Sequence, residues 1–398
     1  MTYDFTTVMD RRGKDALAVD VIPFPDAKVE EGFDVIPMWI ADMNFATVPT
    51  IQEHIINRVH HPAYGYFNPS EEYYNSIMDW QKKRNGVEGL TAEAIGYENG
   101  VLGCLAAATQ AFTAPGEAVL LHSPTYIGFT HVFEDNGRKM VLSDLKQDEN
   151  GVWRMDYEDM DKKMKEHKIH FAVFCSPHNP TGRVWEREEI EKAMEVYARN
   201  NCVVISDEIW SDLILAGHKH IPTQTVSEDA KMRTIAIYAP SKTFNLAGLI
   251  GSYHIIYNEY FRDRVRKQSA LSHYNSMNVL SQHALIGAYR PEGHVWVDEL
   301  REVLSGNVDY AYQYILDNFP GVKLAKPQGT YMLYLDCEEW CKTKGITIEE
   351  LIRAGIRVGV IWQDGRPFHR PYAIRINLAL PRARVEEALH RLHEHVFR

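Results

Sequence analysis

FAVFCSPHNPTGRVWEREEIEKAMEVYARNNCVVISDEIW, residues Phe171–Trp210, is the stretch that sets the class of fold. It opens on one apolar run, FAVFC (Phe171–Cys175), and closes on another, CVVIS (Cys202–Ser206). Neither run alternates apolar with polar residues, which is how a strand buried on both faces of a parallel sheet reads. Between them, REEIEKAMEVYARN places Ile190, Met194 and Tyr197 four and three residues apart with charge elsewhere, the spacing of an amphipathic helix. Working outward, AVLLH (Ala118–His122) and TIAIY (Thr234–Tyr238) repeat the apolar run on either side. Strand, helix and strand repeated in this way predict a doubly wound α/β domain with a mostly parallel central sheet.

The last third follows another pattern. KPQGTYMLYLD (Lys326–Asp336) predicts a strand ending in an acidic turn, and Thr347 with Glu350 predicts a capping box that opens a helix. Val385, Leu389, Leu392 and Val396 mark the apolar stripe of a terminal helix. The chain is therefore expected to divide into an amino-terminal arm joined to the small domain (1–48), a large domain (49–285) and a smaller α+β domain (286–398). Arg290-Pro291-Glu292-Gly293 is the candidate junction between the last two.

The chain has 398 residues, 45% of them apolar, enough for two domains with substantial cores and no need of metal or disulfide staples. A net charge of −11 argues against nucleic-acid and anionic-membrane partners, since both demand phosphate neutralisation. Five scattered cysteines form neither a disulfide framework nor a zinc set, so no metal is expected and Cys175 and Cys202 are expected to pack in strands. His390, His393 and His395 are expected on a solvated helix face. No signal core precedes the first periodic segment, and no run approaches the ~18 apolar residues of a membrane span. A cytoplasmic protein is the expectation.

Each apolar run ends in polar residues: Tyr126 after the first, Asn179 after the second, Asp207 and Trp210 after the third, Ser241 and Lys242 after the fourth. Ligands of open α/β sheets bind beyond the carboxyl ends of the strands, so these clusters are expected to converge. A desolvated lysine such as Lys242 can form a Schiff base with a carbonyl. Asp207 can hold a pyridine nitrogen protonated, and an aromatic side chain can stack on that ring. Asp207-Glu208 also has the form of a helix start. Upstream, ENGVLGCLAAATQAF puts Gly100 before a small-residue helix whose free amides suit a phosphate. Lysine, aspartate, an aromatic and a helix terminus together point to pyridoxal 5'-phosphate. Arg375, in the apolar strand RINLAL, requires an anion partner, for which a substrate carboxylate is the natural candidate.

SKTFNLAG around Lys242, SPHNPTGRVW around Asn179, SDEIWSDL around Asp207 and RINLALPR from Arg375 resemble the aminotransferase class I/II family of fold type I pyridoxal-phosphate enzymes. WIADMNF (Trp39–Phe45), SPHNP and APSKTFN resemble its bacterial cystathionine β-lyase branch, the MalY/PatB kind of carbon–sulfur lyase. The resemblance implies that Lys242 carries the cofactor and then removes the substrate α-proton. It implies Asp207 at the pyridine nitrogen, Asn179 at the ring hydroxyl and Tyr126 stacked on the ring. Val101 and Leu102 amides with Ser241 would hold the phosphate, Arg375 the substrate carboxylate, and the backbone near Ile40 and Ala41 would line the substrate pocket. Tyr66, in YGYFNP, matches a tyrosine that reaches the neighbouring subunit's site, which implies a homodimer.

Three positions depart from the family pattern. Trp210 stands where many transaminases have tyrosine and many of the lyases histidine, Ile250 where many aminotransferases place a phosphate-binding arginine, and Ile127 where some lyases carry a second tyrosine. The implied activity is β-elimination from L-cystathionine or related L-cysteine S-conjugates, giving a thiol, pyruvate and ammonia. The alternatives are an amino-acid aminotransferase and a regulatory or binding protein that keeps the fold.

Overall fold

Seven strands make the main sheet of the computed structural model, which describes residues 1–271 and 276–398. In chain order the strands of the molecule are β1 (Ile36–Met38), β2 (Ile95–Glu98), β3 (Ala118–Ser123), β4 (Lys139–Asp144), β5 (Lys146–Gln147), β6 (Trp153–Arg154) and β7 (Phe171–Cys175). They continue with β8 (Val203–Asp207), β9 (Thr234–Tyr238), β10 (Ser252–Ile255), β11 (Lys323–Leu324), β12 (Met332–Asp336), β13 (Val360–Asp364) and β14 (Ala373–Asn377). The main sheet runs β2-β10-β9-β8-β7-β3-β4. The segment β4-β3-β7-β8-β9 is parallel throughout, and β10 is antiparallel to both of its neighbours.

The unbroken apolar runs have a direct structural cause. Ala172 and Phe174 of β7 pack with Ile190, Met194 and Tyr197 of the helix Arg187–Arg199 on one face. Phe171, Val173 and Cys175 pack on the other face with Cys104, Leu105 and Ala108 of the helix Val101–Phe112. Both faces are covered, so every position of the strand is apolar, and each such burial contributes about 1.5–3 kcal/mol. The expected helix over 187–199 is present with its predicted apolar face buried. The sequence reading did not identify β2, β4 or β10. IGYE and SYHI are short and mix polar with apolar residues, and tertiary pairing makes them strands.

A second sheet runs β1-β13-β14-β12-β11. The predicted strand within Lys326–Asp336 is β12, the Thr347–Glu350 capping box opens the helix Ile348–Arg357, and the terminal helix covers Arg382–His395. The amino-terminal segment is not only irregular: β1 pairs in parallel with β13, tying residues 36–38 to 360–362. Pro291 of the candidate junction is the first residue of a 28-residue helix, Pro291–Asn318, where its missing N–H is harmless. All five cysteines are buried and free. No helix among the described residues is long and apolar enough to cross a membrane.

Candidate active site

The carboxyl ends of β3, β7, β8 and β9 deliver their polar residues to one cavity of about 240 Å3. Tyr126, Asn179, Asp207, Trp210, Ser241 and Lys242 all line it, together with Val101 and Leu102 at the start of a helix. Parallel register explains the convergence: Cys175 of β7 stands opposite Asp207 of β8, so the residues after each strand emerge at the same edge.

Gly100 precedes the helix Val101–Phe112 with φ of +84°, backbone that only glycine enters readily. The turn brings Val101 and Leu102 to the cavity wall, and their first-turn amides have no intrahelical acceptor. The helix bears no acidic residue in its first turn, so the positive dipole end is unopposed. Gly128 makes room for the aromatic wall, because a Cβ there would lie 2.5 Å from Tyr126 Cε1.

Asp207 is 3% exposed and accepts the Ile209 amide at 3.1 Å. Burial pushes its carboxyl up to about 7, against the pull of that amide and of the Lys242 charge. The expected helix start at Asp207-Glu208 is absent: Ile209–Trp210 form a turn, and Glu208 is buried. Its carboxylate accepts from His220 at 2.8 Å and Tyr238 at 2.6 Å. Lys242 Nζ lies 5.9 Å from the Trp210 ring and donates to the Ala41 carbonyl at 2.8 Å. Burial, and then the Arg375 charge, lower its pKa to about 8.

Arg375 does not line the cavity itself and stands behind Asn179, to whose Oδ1 it donates at 3.1 Å. It also donates to the Trp39 carbonyl at 3.0 Å and lies 4.9 Å from the Phe368 ring. All these partners are neutral, Arg375 is 4% exposed and its Nε has no hydrogen-bond partner among the described residues, so a carboxylate would complete its coordination. Burial lowers its pKa to about 10, well above neutrality, and it stays a cation.

Other expected positions fall differently. Ala41 lines the cavity, whereas Ile40 turns its carbonyl to Asn377 Nδ2 at 2.8 Å. Tyr66 is fully exposed on an extended segment and does not line this chain's own cavity. Ile250 lines the cavity with a strained backbone, φ of +41° at a β-branched residue, and is half-exposed. Ile127 begins the helix Ile127–Asp135 and is not among the lining residues. Sequence reading missed Asn99, Gly103, Ile209, Ala239, Ala247 and Gly251, which complete the walls. It also missed Asn377, whose signal was available: two residues after Arg375 on a strand, it shares that residue's face.

The donors fit pyridoxal 5'-phosphate: a lysine amine of lowered basicity, a buried carboxylate facing the same space, an aromatic wall and a helix terminus for a phosphate. A lowered amine pKa has a measurable consequence. The free base is the form that attacks a carbonyl, and half of Lys242 is free base at about pH 8. Uptake of pyridoxal phosphate by the apo-protein should therefore accelerate as pH rises through that value, about tenfold per unit well below it. Stopped-flow absorbance measures this, and a rate flat across that range would contradict the assignment.

Residues 36–392 match the aminotransferase class I and II family. Cystathionine β-lyase PatB of Bacillus subtilis is 32% identical over 90% of this chain and 92% of its own length. Protein MalY of Escherichia coli is 29% identical over 97% of both chains. The pyridoxal-phosphate-bound C–S lyase of Staphylococcus hominis superposes with a TM-score of 0.88 at 30% identity, over 99% of this chain and 98% of that one. With the strand order, the convergent site and the extent of these matches in agreement, the chain belongs to the aminotransferase class I and II family, on the branch that includes PatB and MalY.

Proposed function

We propose that the protein is a pyridoxal-phosphate-dependent carbon–sulfur β-lyase that cleaves L-cystathionine or related L-cysteine S-conjugates to a thiol, pyruvate and ammonia. The observation that carries this is the disposition of Lys242 and Arg375. The amine and the guanidinium are tied to alternate carbonyls of one backbone run, Ala41 and Trp39, which sets a proton acceptor at a constant offset from a carboxylate clamp. Pyridoxal phosphate, bound here, supplies the electron sink that makes an amino acid's α-proton removable.

The chain's own residues do the rest. Arg375 presents a planar fork that holds an α-carboxylate by two parallel bonds. Asn179 holds that fork by accepting from one of its N–H groups. Lys242 Nζ takes the α-proton and, as an ammonium, can pass it on to the departing thiolate. Asp207 holds a protonated ring nitrogen, and the Val101 and Leu102 amides with Ser241 hold the phosphate. Departure of thiolate from the β-carbon, followed by addition of one water, balances to thiol, pyruvate and ammonia. Similarity to PatB and the S. hominis lyase supports elimination, as does Ile250 at the position where many aminotransferases of the family carry arginine.

We also propose a homodimer in which Tyr66 completes the neighbouring site. Tyr64, Tyr66 and Phe67 are exposed together on one segment, an apolar display that a second copy would cover. Purified holoenzyme given L-cystathionine without any keto acid should release thiol and pyruvate in equal amounts. Turnover that depends on an added keto acid would assign the protein to the transaminases instead.

A further inference from the structure

The run Trp39–Asn44 beside the cavity is fastened at nearly every residue. Asn377 Nδ2 donates to the carbonyls of Ile40 at 2.8 Å and Asp42 at 2.6 Å. Asn245 accepts the Met43 amide at 3.0 Å and donates back to the Met43 carbonyl at 2.9 Å. Lys242 and Arg375 take the Ala41 and Trp39 carbonyls. A charged anchor comes from far away in the amino-terminal segment. Arg11 donates to both oxygens of Asp42, at 3.2 and 2.7 Å, to the Met43 carbonyl at 3.2 Å and to Asn44 Oδ1 at 3.1 Å. The two side chains are 14% and 18% exposed, so their attraction is only partly screened by water.

This arrangement has a geometric consequence. The strap carries the two carbonyls against which the amine and the carboxylate clamp are registered, so whatever holds the strap holds their spacing. A displacement of even one ångström between substrate and catalytic groups is costly. Arg11 supplies four bonds to the strap, while Val8 and Met9 beside it are 57% and 41% exposed. Its loss would loosen the strap. Asp42 is also the strap's charge nearest the site, acting on both Lys242 and the buried Tyr331 hydroxyl.

We infer that Arg11 is a positioning residue for amino-acid recognition: through Asp42 it fixes the Trp39–Asn44 strap, and with it the placement of Arg375 relative to Lys242. The inference rests on the roles proposed for those two residues. Its test uses the holoenzyme and 2-methylalanine, which has the amine and carboxylate of a substrate but no α-proton to lose. Binding is followed by the change in cofactor absorbance. Arg11→Ala should weaken the ligand about tenfold, as expected for losing a charge-assisted bond, with cofactor affinity unchanged. Arg11→Lys should recover part of the loss, since it keeps the charge but not the fork. Asp42→Asn combined with Arg11→Ala should be no worse than the stronger single change, because the two act as one unit.

Equal ligand affinity in wild type and Arg11→Ala would overturn the inference. So would an equal fall in cofactor affinity, which marks a merely structural role. Because the ligand cannot react, the outcome is independent of whether the enzyme eliminates or transaminates. Failure of the wild type itself to bind it would instead overturn the reading of Arg375, and this inference with it.

Discussion

Lys242→Ala is expected to reduce thiol release from L-cystathionine by at least about 10^4-fold, the scale on which removal of a group at the centre of a catalytic unit is felt. The size of the effect follows from the double use of one amine. In the proposed reaction Nζ both anchors the cofactor and takes the α-proton, and no second amine lines the cavity among the described residues. The surroundings are built for that use: burial and the Arg375 charge bring its pKa to about 8, so free base is available near neutrality, and the Ala41 carbonyl orients it. Removing it should also abolish the absorbance of the lysine-linked cofactor. The two readouts separate chemistry from folding, since the variant should keep the wild-type far-ultraviolet spectrum. Residual turnover above about one per cent of wild type would show that another group is the base, and the site assignment would fall.

Arg375→Lys should prove almost as damaging as Arg375→Ala, with kcat/KM for L-cystathionine down about 10^3-fold and most of the loss in KM. The guanidinium is 4% exposed, lies 4.9 Å from the Phe368 ring and is held by Asn179 and the Trp39 carbonyl, so its position is set before a substrate arrives. Two parallel bonds to a carboxylate in such surroundings are stronger and more directional than the single contact an ammonium makes. Alanine additionally leaves a substrate carboxylate desolvated without a partner. Steady-state kinetics on both variants check this. A lysine variant within threefold of wild type would mean that the carboxylate is held elsewhere.

Much of the site is legible in the sequence. Asp207, Asn179, Tyr126, Trp210, Ser241 and Lys242 each lie at or just beyond the end of an apolar run, and parallel strands bring such positions to one edge. Gly100 can be read the same way, because a glycine before a small-residue helix leaves an approachable amide end. Other features are hidden for identifiable reasons. β2 and β10 lack enough apolar residues to declare themselves: β10 exists by pairing with β9, and β2 by pairing with β10. Asp207-Glu208 has the form of a helix start, yet Glu208 is drawn away by His220 and Tyr238, partners 12 and 30 residues distant. The Arg11–Asp42 pair spans 31 residues with no local pattern to announce it.

The amino-acid sequence by itself determined the α/β class, the large parallel sheet and the strand-end residues that line the cavity. These depend on periodicity and on residue types placed at strand ends, both local properties of the chain. Only the tertiary structure decided how the amino-terminal segment joins the molecule: β1 pairs with β13, and the adjoining strap receives Lys242, Arg375 and Asn377. Those contacts use backbone carbonyls, which every residue possesses, so no side-chain pattern could encode them. The same holds for Arg375, which the sequence marks as a buried cation in want of an anion. The folded chain shows why it keeps its charge and its place, flanked by an amide and a carbonyl from two distant segments and an aromatic face from the turn just before its own strand.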